Sequence, residues 1–229
     1  MSLSTLPAEL TLHVASFLEK GADINALSQV NFEHYARLNA FLYRHNAKAK
    51  YTDRRHDRTA LSWAAFYGRE ALVKWLIDRG ECDINHCDRS FETPLHLASR
   101  EGHTTIVKIL LKCPDIDIRA INDYSETPFY LAAAYDREDI VNLLLETGEV
   151  DVNLENFDGN TPFIMAVSTE NKSIVKRLLQ EEDTDMFVEN IYGGTALSLA
   201  LDCVKTWEHW KAMVNLLRRE ARRRKPQAK

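Results

Sequence analysis

The residues of this chain that could do chemistry are few, and the most suggestive of them gather between positions 88 and 103: Asp88, Thr93, His96 and His103. A histidine near a carboxylate and a hydroxyl is the raw material of nucleophilic catalysis, in which a base takes the hydroxyl proton and a third group orients the base. The spacing does not assemble that constellation. Thr93 and Ser62 come without a base-plus-orienter pattern and read as a helix cap and a surface residue. No HExxH pair, phosphate-cradling glycine loop or paired catalytic carboxylate signature occurs. Cys82, Cys87, Cys113 and Cys203 show neither a disulfide framework nor the paired CxxC spacing of a zinc site, and read as reduced thiols. The expectation is a non-catalytic chain with no metal, no cofactor and no small-molecule substrate.

What positions these residues is a repeat. Thr59, Thr93, Thr127, Thr161 and Thr195 stand 34 residues apart, and a fixed period of this size means a stacked repeat architecture. The columns behind them repeat as well: Pro94, Pro128 and Pro162; Leu61, Leu95, Phe129, Phe163 and Leu197; Ala64, Ala98, Ala132, Ala166 and Ala200. Thr-Pro is a helix start with a mechanism, because threonine offers an oxygen to the unpaired amides of the first turn and proline at the first position gives up no useful donor. Apolar pairs such as Ile106-Val107 and Leu110-Leu111 fall at helical spacing and predict a second helix. Gly68 and Gly102 suit the left-handed residue that closes the first helix. Asp136 and Glu170 stand at the same place in later units, where the turn should be less ideal.

The stretch TPLHLA, Thr93 to Ala98, carries the ankyrin signature, and residues 59 to about 218 resemble an ankyrin-repeat array. The resemblance implies an all-α solenoid of helix-turn-helix units and a protein-binding role, and gives His96 a hydrogen bond between neighbouring turns. The family period is about 33. The extra residue here follows the second helix, in GECDIN (Gly80 to Asn85) and GEVDVN (Gly148 to Asn153). Pro114 and Arg119, and Glu182 and Phe187, depart from the family's Gly and Asn at those turns. Met213-Val214 sits five residues late, which predicts an insertion within Lys205 to His209 in the fifth unit.

Ahead of the array, residues 6–18 read LPAELTLHVASFL, opened by Pro7 and carrying Leu10, Val14, Phe17 and Leu18 on one helical face. Ile24 to Val30 and a pattern of Phe32, Tyr35, Leu38, Phe41 and Leu42 add two more short helices. LPxEL, Phe17-Leu18 and DINALSQVNFEHYARL (Asp23 to Leu38) resemble an F-box over residues 5 to about 43. That resemblance implies docking to the Skp adaptor of an SCF-type cullin-RING ubiquitin ligase, with the substrate protein held by the array. By resemblance Leu6, Pro7, Glu9, Leu10, Val14, Phe17, Leu18, Leu27 and Val30 face the adaptor. The alternatives are a helical cap over the apolar end of the solenoid, or a relic repeat at GADINA, Gly21 to Ala26. Register argues against the relic, since Gly21 lies 59 residues before Gly80, not a multiple of 34. The expected organisation is an N-terminal three-helix F-box-like module (1–45), a basic connector (46–58), repeats (59–218) and a basic tail (219–229).

In the resembled family the turn tips and the exposed face of each first helix form a concave surface. The candidates there are Arg55, Arg58, Phe66, Tyr67, Arg89, Arg100, Tyr124, Tyr135, Phe157 and Tyr192, since aromatics and arginines concentrate binding energy. Arg54, Arg55 and Arg58 gather at the first tip and Asp123 and Glu126 at the third, which suits a partner of opposite charges at its two ends. Residues 218–229 carry a net +6, leaving −11 on the remainder of a chain whose total is −5. The acidic body makes a poor phosphate binder, so nucleic acid is not the expected partner. The tail reads as solvated cations at a helix end or as a nuclear address. With 45% hydrophobic and 28% charged residues, no apolar run of about 18 and no signal-peptide pattern, the expectation is a cytoplasmic and/or nuclear protein off the membrane, monomeric on its own.

Overall fold

The computed structural model describes residues 56–224, apart from Glu81 and Trp207. The adaptor candidates Leu6, Pro7, Glu9, Leu10, Val14, Phe17, Leu18, Leu27 and Val30, the cation Arg55, and residues 225–229 of the basic tail lie outside the described residues. The helices are α1 Ala60–Phe66, α2 Glu70–Asp78, α3 Pro94–Glu101, α4 Thr104–Leu110, α5 Pro128–Ala134, α6 Glu138–Glu146, α7 Pro162–Ser168, α8 Lys172–Leu178, α9 Ala196–Thr206 and α10 Lys211–Arg224, with a 3-10 turn Glu208–Trp210 between the last two. Odd-numbered helices pack in one row, α1 on α3 on α5 on α7 on α9, and α2, α4, α6 and α8 form a second row beside it. This is the expected all-α stack of paired helices.

Helices of seven to nine residues are too short to persist alone, so α1 to α8 depend on their caps and on stacking. All five threonines cap as their spacing predicts. The hydroxyl oxygens accept from the amides of Ser62, His96, Tyr130, Ile164 and Ser198 at 3.1–3.4 Å, and each cap stabilises its helix by about 1 kcal/mol. Between the rows, Leu61, Leu95, Phe129 and Phe163 are buried beside Ala64, Ala98, Ala132 and Ala166. Their small neighbours let the helices approach. The paired residues Leu72-Val73, Ile106-Val107, Ile140-Val141 and Ile174-Val175 complete the core, and Met213-Val214 takes the equivalent place in the fifth unit. The insertion that delays it is visible as a longer α9, of 11 residues, followed by the 3-10 turn.

Gly68, Gly102, Asp136 and Glu170 all close their helices with positive φ, at 70°, 85°, 60° and 58°. At the two glycines the next unit uses the missing side chain: a Cβ on Gly68 would lie 2.6 Å from the His103 ring, and one on Gly102 2.9 Å from Arg137 Cδ. From there His103 Nε2 donates to the Phe66 carbonyl at 3.0 Å and Arg137 Nε to the Arg100 carbonyl at 2.9 Å. Where glycine is lost the link becomes side chain to side chain. Asn171 donates to the Asp136 carboxylate, and Glu170 pairs with Lys172 at 3.1 Å and with His209 at 2.8 Å. The less ideal turns thus keep their stacking contact by changing its chemistry.

A second left-handed column lies at the turn tips: Asp57, Phe91, Ser125, Gly159 and Gly193, with φ from 59° to 73°. Phe91 is the costly member, because a bulky side chain at positive φ is disfavoured by about 1–2 kcal/mol and this ring is 60% exposed, recovering little by burial. Phe91→Gly should therefore raise the thermal midpoint by about 2–4 °C, the equivalent of about 1 kcal/mol.

Ser62, expected at the surface, is fully buried, its hydroxyl 2.9 Å from that of Thr59. The hydroxyl finds a partner in its own capping residue, which is why a polar residue is tolerated there. Ser99 has no such partner: its Oγ is buried without a hydrogen bond, in the column that holds Ala65 and Ala133 in adjacent units. Ser99→Ala removes an unsatisfied hydroxyl and should stabilise the array by about 1 kcal/mol in urea unfolding.

Candidate functional site

The catalytic temptation of His96 ends with its hydrogen bonds. The Thr93 amide donates to His96 Nδ1 at 3.1 Å, so that nitrogen is the acceptor, and Nε2 must donate to the Glu126 carbonyl at 3.1 Å in the next turn. The imidazole is held neutral in one tautomer, and burial pulls its pKa down to about 4. It joins two units. Burial likewise raises the thiols of Cys82, Cys87 and Cys113, the opposite of what an activated nucleophile needs. Among the described residues no group of three or more His, Cys, Asp or Glu is placed to hold a metal ion, and no helix is long and apolar enough to cross a membrane.

In the first two units Arg58 and Arg100 are engaged within the chain. Arg58 pairs with Asp88 at 2.7 Å and Glu92 at 3.3 Å, and Arg100 pairs with Glu92 and, at 3.2 Å, with Glu101. The Arg58 guanidinium also lies over Trp63 and Phe66, 4.9 and 5.0 Å from the ring centroids. Tyr67 stacks on Trp63 at 5.4 Å with 12° between planes, while Phe66 meets both edge-on. Phe66 and Tyr67 are thereby half-buried in one ring cluster. Glu92 bridges Arg58 and Arg100, and burial pushes its carboxyl up although Arg100 and Arg58 pull it down.

Units three to five look different. Tyr124, Phe157 and Tyr192 are 60%, 67% and 77% exposed, with Ile191 and Tyr135 exposed beside them. The tip turns are closed by side-chain hydrogen bonds. Asn122, Asn156 and Asn190 each accept through Oδ1 from the amides two and four residues on, as Asp88 does in the second unit. Neighbouring turns are then tied by Asp123 N to Ser90 O, Phe157 N to Tyr124 O and Ile191 N to Asp158 O, each at 3.0 Å. The candidates fall into two groups: Arg58, Phe66, Tyr67 and Arg100 interlock around the first two units, whereas Tyr124, Tyr135, Phe157 and Tyr192 project from the last three, and Arg89 is exposed at the second tip.

Three features escaped reasoning from sequence. The Asp88, Asn122, Asn156, Asn190 column repeats at the same 34-residue interval and was legible as a turn-building position. Phe91 is exposed at its tip, which hydrophobicity alone argues against. Arg224 reaches back from α10 to the carbonyls of Leu179, Thr184 and Glu181, capping the end of α8. That contact joins residues 40 to 45 apart, outside any local pattern.

Segments 12–122, 61–156 and 129–221 each match the family of ankyrin repeats, in blocks of three copies. The first match begins well ahead of Thr59 and takes in Gly21 to Ala26. No curated protein matches the chain. Paired helices on a 34-residue period, threonine caps tied by the His96 bridge, and family matches that together run from residue 12 to residue 221 agree: this chain belongs to the ankyrin-repeat family, whose repeats are protein-binding domains.

Proposed function

We propose that the chain is a non-catalytic receptor: it holds a protein substrate along its turn tips and first-helix ends, and residues 5–43 bring that substrate to the Skp adaptor of an SCF-type cullin-RING ubiquitin ligase. The observation that supports the binding half is the run of exposed apolar side chains from Tyr124 to Tyr192, with the tip turns closed by the Asn122, Asn156 and Asn190 side chains and tied to one another through backbone hydrogen bonds. Exposed aromatics on a rigid scaffold bury large area at small entropic cost, and they mark interaction surfaces. The ligase half rests on LPAEL, Phe17-Leu18 and DINALSQVNFEHYARL. Transfer chemistry would belong to the partners.

One observation favours a second reading. The first ankyrin match begins at residue 12, so it overlaps Val14, Phe17, Leu18, Leu27 and Val30 and leaves only Leu6, Pro7, Glu9 and Leu10 ahead of it. Residues 12–58 would then belong to the array as its cap, with no ligase link. Co-purification separates the two. The receptor reading expects the intact chain to retain the Skp adaptor and a Leu6→Asp/Leu10→Asp variant to lose it; an intact chain that does not retain the adaptor sinks the receptor reading and leaves a binding scaffold.

A further inference from the structure

The exposed tips of units three to five have a charge pattern as definite as their apolar one. Each tip presents a pair of side chains: Asp123-Tyr124, Phe157-Asp158 and Ile191-Tyr192. Because Phe157 N is bonded to Tyr124 O and Ile191 N to Asp158 O, the pairs are adjacent in space; the order of acid and ring reverses from the third tip to the fourth, and the fifth carries Ile191 and Tyr192 with no acid. Along one row the side chains run Asp123, Phe157, Ile191; along the other, Tyr124, Asp158, Tyr192. All six are exposed. A carboxylate thus neighbours an aromatic ring both within a tip and across to the next.

No lysine or arginine falls in 120–127, 154–161 or 188–195. The nearest cation in sequence on either side of the third tip is committed elsewhere, Arg119 to the Glu149 carbonyl at 2.7 Å and Arg137 to the Arg100 carbonyl. The tips of units three to five are therefore acidic and aromatic without a cation of their own, and the cation at the adjoining second tip is Arg89, brought next to Asp123 by the Asp123 N to Ser90 O bond. The first two units are the reverse, with Arg58 and Arg100 balancing Asp88, Glu92 and Glu101.

We infer that the tips of units three to five dock an extended, arginine-bearing segment of the protein partner. A guanidinium is planar, stacks on an aromatic face and donates to a carboxylate in its own plane, so one arginine can lie on Tyr124 or Phe157 while bonding Asp158 or Asp123. A lysine meets the carboxylate as a point charge and forgoes the stacking, which makes the alternation selective for arginine rather than for positive charge in general. An acidic or purely apolar segment would leave both carboxylates facing an uncompensated surface. This inference rests on the binding half of the proposed function and names the chemistry of the partner.

The probe is a fluorescent nine-residue peptide of alternating arginine and alanine, compared with lysine-alanine and glutamate-alanine peptides on the intact chain at low salt. The arginine peptide should bind about tenfold more tightly than the lysine peptide, and the glutamate peptide should not bind. Asp123→Asn/Asp158→Asn and, separately, Tyr124→Ala/Phe157→Ala should each weaken the arginine peptide by about tenfold with circular dichroism unchanged. Equal affinity for arginine and lysine, or affinity indifferent to either pair of substitutions, overturns the inference and reduces the effect to attraction by the acidic body. Affinity that rises on deleting residues 225–229 also overturns it, by placing the chain's own basic end on this face. If selected apolar or acidic peptides bind and compete at Tyr124 and Phe157 while the arginine peptide does not, protein binding stands and the arginine assignment falls.

Discussion

Lowering the pH from 7 to 5 should destabilise the array by about 2 kcal/mol through His96 alone, and this increment should vanish in His96→Gln. In the unfolded chain a histidine titrates near its ordinary 6.5, whereas in the folded array His96 stays neutral down to about 4. Between those values the unfolded state binds a proton that the folded state refuses, so stability is present above 6.5 and is lost progressively as pH falls toward 4. The hydrogen bonds agree independently with the direction. A proton on Nδ1 would oppose the Thr93 amide that already points at it from 3.1 Å.

Glutamine is the informative replacement, because at the third helical position it can still accept from the Thr93 amide and keep the capping box, yet it does not titrate. Glu92 works in the opposite sense, since a carboxyl raised by burial takes up its proton in the folded state sooner than in the unfolded chain. Comparing parent and His96→Gln at each pH cancels that contribution. Urea midpoints at pH 7 and 5 give the result directly. A parent and variant with the same pH dependence would show that the ring is not held neutral.

The reason so much of the array was legible in sequence is that its determinants are local and recur at one interval. Threonine caps, the alanine column and the left-handed position at Gly68, Gly102, Asp136 and Glu170 each act within one turn of chain. A 34-residue comparison therefore finds them without any knowledge of contacts. The delay of Met213-Val214 was readable for the same reason, as a phase error against a fixed ruler. What was not legible depends on pairs that no period links. Arg58 looks identical to Arg55 and Arg89 as a letter at a turn tip. Only the fold places it over Trp63 and against Asp88 and Glu92. Phe66 and Tyr124 are both aromatics at nominally open positions, yet one meets two other rings and the other meets none among the described residues. Arg224 illustrates the limit from the tail: cations near a helix C-terminus favour its dipole in general, but that this one serves α8 rather than its own helix is a tertiary fact.

Glu92→Leu should cost about 3 kcal/mol of unfolding free energy in urea, near the low end of what breaking a buried ion pair costs. The carboxylate is nearly inaccessible and bridges Arg58 and Arg100, whose side chains are only 11% and 20% exposed. Removing it leaves two guanidinium groups facing each other in a partly dry site. The loss stops short of 5 kcal/mol because each arginine keeps one partner, Asp88 for Arg58 and Glu101 for Arg100. Arg100→Leu added to Glu92→Leu should then recover much of the loss, since the like-charge contact is gone, and a coupling of at least about 1 kcal/mol in the double-mutant cycle is the expected signature. A cost below about 1 kcal/mol would mean that the pairs behave as exposed surface bridges. The network also decides what a charge change at the first tip means. Arg58→Glu would put a third carboxylate beside Asp88 and Glu92 and remove the cation from the Trp63 and Phe66 rings, so its primary effect should be on folding of the first two units. Weaker partner binding in that variant follows only after its thermal midpoint has fallen, whereas Asp158→Asn in the fourth unit should change binding with the midpoint unmoved.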